Sequence, residues 1–285
     1  MPPSSHNRQR LSTLPFIDPK TICQHLRRLI RHQDHLHQRD TPQYTHMVIR
    51  EIGQLVEEAS LRLHADEHPP ALLILQVITD VCTKQWMYLN DIHGEVSAFF
   101  QELACVWTEA LLTVDLTTQE RKRWTRQMTS WQARLGDWSI GAAFDAPQAA
   151  LREGWETLAL QRVFQGTSLQ QSVWDDEPPA YAAVLTHARL TVLEQREQFQ
   201  HYLSLAKAEG LTRAYVTMLV RQGQITEASP MDTSILSPLR MPWHWLRNCL
   251  SMVNTHTVSR WQSMDSLLKA TACHWRSGFV ITPGP

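Results

Sequence analysis

The stretch Thr117–Leu135, TTQERKRWTRQMTSWQARL, decides the fold class. Thr117-Thr118-Gln119-Glu120 is a capping box: the threonine and glutamate side chains each satisfy a backbone N–H left free at a helix start. Behind it Trp124, Met128, Trp131 and Leu135 stand at i, i+4, i+7 and i+11, the spacing of one apolar helix face. Most of the remaining positions are Arg, Lys, Gln, Thr or Ser. The helix is therefore amphipathic and packs through a stripe that carries two tryptophans.

Reading outward, the same signals recur. Upstream, Asn90-Asp91-Ile92-His93-Gly94 is a turn cluster, and Val96, Phe99, Phe100, Leu103, Trp107 and Leu111 then fall on one helix face. Pro69-Pro70 opens a further helix with Leu72, Leu75, Ile78, Cys82 and Trp86 on its stripe. Thr41-Pro42 precedes Val48, Ile52, Leu55, Val56, Ala59 and Leu63. Asp18-Pro19 opens the first helix, since aspartate caps and proline suits the first helical position; its apolar pattern runs from Ile22 through Leu36. Downstream, short helices are expected around Ala142–Glu153 and Thr157–Gln165. The polar, proline-terminated stretch 166–179 reads as a linker. Tyr181–Glu209 has helical composition throughout, and a hairpin turning near Glu194–Glu197 is preferred to one long helix because average helices are shorter. Gly210 ends that unit, and Leu211–Gln222 forms another helix that Gly223 ends. Two such units suggest stacked helix pairs.

The expected architecture is all-α: a helical bundle or α-solenoid of helix pairs, TPR-like in its C-terminal half, with a disordered or poorly packed tail. The expected organisation is a disordered N-terminus over 1–17, a helical domain over 18–165, the linker 166–179, helical-repeat hairpins over 180–228 and an irregular tail over 229–285.

Composition narrows the function. Apolar residues make up 43% of the 285, enough for a core. Net charge is -1, without the basic excess that phosphate contacts give most nucleic-acid binders. The most apolar run, ALLILQVITDVC, holds Asp80 and is shorter than the roughly 20 residues of a membrane span. No secretory signal is visible at the start. The five cysteines, Cys23, Cys82, Cys105, Cys249 and Cys273, are scattered, with no CxxC, a reduced and cytoplasmic pattern. None of GxSxG, HExxH or GxxxxGK[ST] occurs.

From Ser229 the periodicity fails. PWHWLRNCL, Pro242–Leu250, stands among tryptophans, cysteines and histidines spread through polar residues. One reading is a genuine, partly ordered tail. The other is a shifted reading frame. Codons for Met241–Leu246, read from the last base of each, give Ala, then Leu, Met or Val, then Ala, Leu and Ala. Asn248-Cys249 gives Leu, and both Met252-Val253 and Met264-Asp265 give Gly. That hidden text is an Ala/Leu helix with glycine at a plausible end.

The segments Ala71–Trp124, Ala143–Trp155 (AFDAPQAALREGW) and Leu160–Gly166 (LQRVFQG) resemble the helical region of bacterial SWIM zinc-finger family proteins. Tyr202–Ala228, YLSLAKAEGLTRAYVTMLVRQGQITEA, is similar to that family's downstream helical repeats. The resemblance spans Pro15–Ala228. It implies a CxC…CxH zinc module upstream, with nucleic-acid or protein binding in an intact member. This chain has no CxC, and Cys23-Gln24-His25 has CxH spacing without its partner half, so no zinc ligand carries over. The expectation is a fragment of such a protein, without its zinc module.

Three groups of residues merit a chemical reading. His25, His32, His35 and His37 cluster on the first helix, and His32 and His35, one turn apart, are the weak candidates for a metal; nearby Arg27, Arg28 and Arg31 repel a cation. Asp91, His93 and Glu95 surround Gly94 and have the makings of an acid/base group, against the plainer role of shaping a turn and a helix start. Trp86, Trp107, Trp124, Trp131, Trp138 and Trp155 are stacking platforms for bases or, at helical spacing, core. The expected function is a non-catalytic scaffold that binds a protein partner, with no cofactor and no membrane. The alternative is a metal-binding bundle or orphan enzyme using the His-rich first helix.

Overall fold

The structure, a computed structural model, describes residues 18–31, 42–136, 140–166, 173–174 and 177–224. These fall in one compact unit, 1–230; a second unit, 231–285, lies outside the described residues. The expected disordered N-terminus and irregular tail, with PWHWLRNCL, therefore lie outside them as well.

Among the described residues there are ten α-helices and no strand: α1 Pro19–Arg31, α2 Pro42–His64, α3 His68–Gln85, α4 Glu95–Thr113, α5 Thr118–Leu135, α6 Asp145–Glu153, α7 Leu158–Phe164, α8 Ala182–Gln195, α9 Phe199–Ala208 and α10 Thr212–Arg221. The all-α expectation is met. Its punctuation holds too. Helices α1 and α2 start at the prolines read as first positions. The Thr117–Glu120 box is formed, with Thr117 N donating to Glu120 Oε2 at 2.8 Å and Glu120 N to Thr117 Oγ1 at 3.3 Å. The 181–209 stretch is a hairpin: α8 stops at Gln195, Glu197 takes a left-handed φ of 56°, and α9 starts two residues later.

The helices pack in two rows. α3 packs against α1 and α5, while α4 packs against α2, α6 and α8. α2 lies on α3, and α5 on α6, so consecutive helices pair across the rows. This is the arrangement of stacked helix pairs. Inside it, α4 buries Phe99, Phe100, Leu103, Trp107 and Leu111. Trp107 meets Trp124 at 5.1 Å and Trp131 at 5.5 Å between ring centroids, and Trp131 meets Phe144 at 6.0 Å.

A second apolar cluster joins α7, α9 and α10 to the first through α8. That helix sends Leu185, Ala188 and Val192 into the first cluster and Leu190 and Leu193 into the second. Such two-sided burial is why its sequence lacks a single stripe. Within the stretch read as a linker, Val173 is buried in the second cluster and its N–H donates to Glu209 Oε1 at 2.8 Å.

Candidate functional site

Asp91, His93 and Glu95 do not converge. Asp91 is spent on the start of α4: its Oδ1 accepts from Val96 N and its Oδ2 from Ser97 Oγ, each at 2.7 Å. Gly94 at the N-cap takes φ 73°, a left-handed conformation that a side chain resists. Glu95 turns away to His46 on α2, with Oε1 3.1 Å from Nδ1, and His93 is exposed. The group shapes a turn and ties α4 to α2.

Of the first-helix histidines, only His25 is described; it is exposed, with Nε2 3.8 Å from Glu51 Oε2. His32, His35 and His37 lie outside the described residues. Among the described residues no group of three or more His, Cys, Asp or Glu side chains is placed to hold a metal ion. No described helix is long and apolar enough to cross a membrane. Trp107, Trp124 and Trp131 are buried, Trp86 and Trp155 half-buried, and Trp138 lies outside the described residues. The indoles are packing groups: Trp107 Nε1 donates to Thr79 Oγ1 at 2.8 Å and Trp155 Nε1 to the Leu112 carbonyl at 2.9 Å.

Asp80 interrupts the most apolar run of the chain because it holds α5. It accepts from Arg134 Nη1 at 2.9 Å, from Lys84 Nζ at 2.6 Å and from Trp131 Nε1 at 3.3 Å. Burial works to raise its pKa, but these donors together outweigh it and hold the carboxyl below the usual range.

Sequence reading missed the surface where α3 gives way to α4. A short 3-10 turn, Trp86–Tyr88, follows α3. Trp86 stays on the α3 stripe and packs against the core, while Met87 and Tyr88 face out. Met87 is 72% exposed, Tyr88 45% and Ile92 75%. Trp86 and Leu89 also wall a cleft between α1, α2, α3 and α4, lined further by Ile30, Ile52, Cys82 and Phe99. Its cavity volume is about 10 Å³, the room of a single water, so the cleft is a packing defect too small to take a ligand or a side chain. Cys82 in its wall is no nucleophile, since burial pushes its thiol up to about 12.

A third feature is a buried polar junction of α6, α8 and α9. Arg189 is 0% exposed. It donates from Nη2 to the Gly154 carbonyl at 3.0 Å and lies 3.6 Å from Glu153 Oε2. Glu153 is also held by Arg152 Nη2 at 2.9 Å and by the Tyr181 hydroxyl, which donates to it at 3.2 Å. Gly154 is required here: its φ is 54°, and a Cβ would meet Arg121 Nη1 at 3.1 Å. Nε and Nη1 of Arg189 have no hydrogen-bond partner. Burial lowers the Arg189 pKa, against the pull of Glu153 and Glu209.

Across the two rows His64 (α2), Glu109 (α4) and Gln195 (α8) meet. His64 Nε2 is 2.8 Å from Glu109 Oε1, which also accepts from Gln195 Nε2 at 2.6 Å. The bond to Glu109 raises the His64 pKa above its ordinary 6.5; burial opposes this and the Glu109 charge adds to it. The contact therefore adds stability that is fully present below the unfolded histidine value, about 6.5, and is lost as pH rises through the higher folded value. Melting curves should show the gap between the wild-type protein and Glu109→Gln narrowing as pH rises from about 6 to 8. A gap that stays constant or widens over that range would refute the pairing.

Comparison with protein-family models, with curated proteins and with solved structures finds no match to the chain.

Proposed function

We propose that the chain is a non-catalytic helical scaffold that binds a partner protein, and that the α3–α4 connection is part of its contact surface. The observation that carries this reading is the exposure of three large apolar side chains, Met87, Tyr88 and Ile92, within six residues. Clustered exposed apolar groups on a stable scaffold mark interaction sites.

The functional groups that a catalytic reading would use are committed elsewhere: Asp91 caps a helix, Asp80 anchors α5 and Cys82 is buried. The resemblance to the helical region of SWIM zinc-finger proteins supports the same assignment, because there the zinc chemistry belongs to a separate module. Zinc and any nucleic-acid contact would accordingly belong to that module. The scattered cysteines favour a reducing, cytoplasmic setting.

Photo-crosslinking from position 87 in cells tests the reading, with exposed Ser130 as the control position. A discrete protein adduct from 87 that is absent from 130 is the expected result. Equal adducts from both positions would count against it. So would stoichiometric zinc in the purified protein that is lost on His32→Ala and His35→Ala replacement, which would instead favour a metal-binding bundle.

A further inference from the structure

The near-neutral net charge of the chain conceals a segregation. Helix α1 holds four Lys or Arg and no Asp or Glu, and α5 holds five Lys or Arg against Glu120 alone. Both helices pack against α3, so the two most basic helices border the same central helix.

Helix geometry shows which way the charges point. On α1, Ile22, Leu26 and Ile30 are buried and His25 reaches Glu51 of α2. Lys20, Arg27 and Arg31 share a stripe on the side away from α2, at i, i+7 and i+11. Arg31 lies over the Tyr88 ring, 5.1 Å from its centroid, in the turn that ends α3. On α5, Thr129 and Gln132 reach Gln148 and Asp145 of α6. Arg134 reaches Asp80 of α3, and Arg123 shares its stripe at i, i+11. Two basic rails therefore border the solvent strip of α3.

The strip itself is not basic. It carries Leu73, Gln76, Asp80 and Lys84, and it ends at exposed Met87 and Tyr88. The Asp80 charge is met by Lys84 and Arg134, so it leaves no net negative charge in the middle.

We infer that the α1–α3–α5 face docks an acidic amphipathic protein segment. Its apolar side would meet Met87 and Tyr88 at the end of α3, and its carboxylates would face Arg27 and Arg31 on one rail and Arg123 on the other. A phosphate backbone would gain nothing from the apolar end of the strip at Met87 and Tyr88, whereas an amphipathic helix uses both that end and the rails. The inference rests on the scaffold reading and names the chemistry of the partner. The rails are solvent-exposed, so they contribute mainly to association rate and selectivity, and their effect falls with added salt.

The test uses the full chain and a fluorescent synthetic helix of α3's length, 18 residues, with glutamates on one face and leucines on the other. A scrambled peptide of the same composition, a DNA duplex and a single-stranded RNA serve as competitors. The expected result is binding of the amphipathic helix in preference to its scramble. Arg27→Glu with Arg123→Glu should weaken it about tenfold or more while leaving the circular dichroism melt unchanged, since both residues are exposed. Binding that ignores the charge reversal but is lost with Met87→Ser and Ile92→Ser would overturn this inference and leave the scaffold reading standing. Tighter binding of the nucleic acids, with displacement of the peptide, would overturn it in favour of a phosphate-backbone site. No binding of the glutamate helix at low salt would overturn it as well.

Discussion

Replacing Trp107 by alanine is expected to cost about 3–5 kcal/mol, the range for truncating a fully buried large aromatic. Trp107 is 0% exposed and stands between Trp124 and Trp131. The three indoles come from α4 and α5, so the cavity would open between the helix rows, where the backbone cannot collapse without moving α5. The indole N–H adds a smaller share. Thr79 Oγ1 accepts it at 2.8 Å while donating to the Leu75 carbonyl at 2.7 Å, and Thr79 keeps that second bond when the indole is gone. Trp107→Phe should therefore recover most of the loss and leave about 1 kcal/mol for the missing hydrogen bond. In a unit of this size the alanine variant should melt roughly 10 °C lower, at about 2–4 °C per kcal/mol. Thermal unfolding followed by circular dichroism measures it. A change of under about 1 kcal/mol would mean that these rings do not form the centre of the core.

Replacing Arg189 by methionine is expected to raise stability by about 1–3 kcal/mol, although it removes a buried ion-pair contact. A buried charge stabilises only when its donors are satisfied, and Nε and Nη1 of Arg189 are not. The partner tolerates the loss, because Glu153 keeps Arg152 at 2.9 Å and the Tyr181 hydroxyl at 3.2 Å. The interactions given up are the bond from Nη2 to the Gly154 carbonyl, worth about 1 kcal/mol, and the ion pair to Glu153 at 3.6 Å. Methionine fills nearly the same slot with a flexible apolar chain. The melting temperature should rise by several degrees, at about 2–4 °C per kcal/mol. Arg189→Ala is the informative control: it removes the charge but leaves a cavity, and should be less stable than Arg189→Met. A fall in stability for methionine comparable to that for alanine would show that the guanidinium carries more than the Gly154 bond.

The helices were legible because their signals are local. A capping box, a proline at a first position or an apolar residue every third or fourth place acts within a turn or two of the chain, so Thr117–Leu135 and Asp18–Leu26 could be read without neighbours. Helix α8 was harder. Burial on both sides, at Leu185 and Val192 toward one cluster and Leu190 and Leu193 toward the other, erases the amphipathic stripe, and the hairpin had to be argued from helix length alone. The buried Arg189 gave no signal, because nothing in the sequence tells a solvated arginine from one enclosed by α6, α8 and α9.

The candidate surface was hidden for a related reason. Met87 and Ile92 read as ordinary apolar residues near a helix end, and only the packing of the surrounding helices shows that they face water. The basic rails were hidden by summation. A whole-chain charge near zero argued against an electrostatic surface, but α1 and α5 lie more than eighty residues apart in sequence and share a neighbour only through α3. By itself the sequence determined the helical class, most helix starts and stops, and the Trp124–Leu135 stripe, all set by interactions between residues a few places apart. Tertiary structure alone decided which helices are neighbours. It thereby also decided which charges add together, which arginine is enclosed and which apolar side chains face water, since those depend on contacts between residues far apart in the chain.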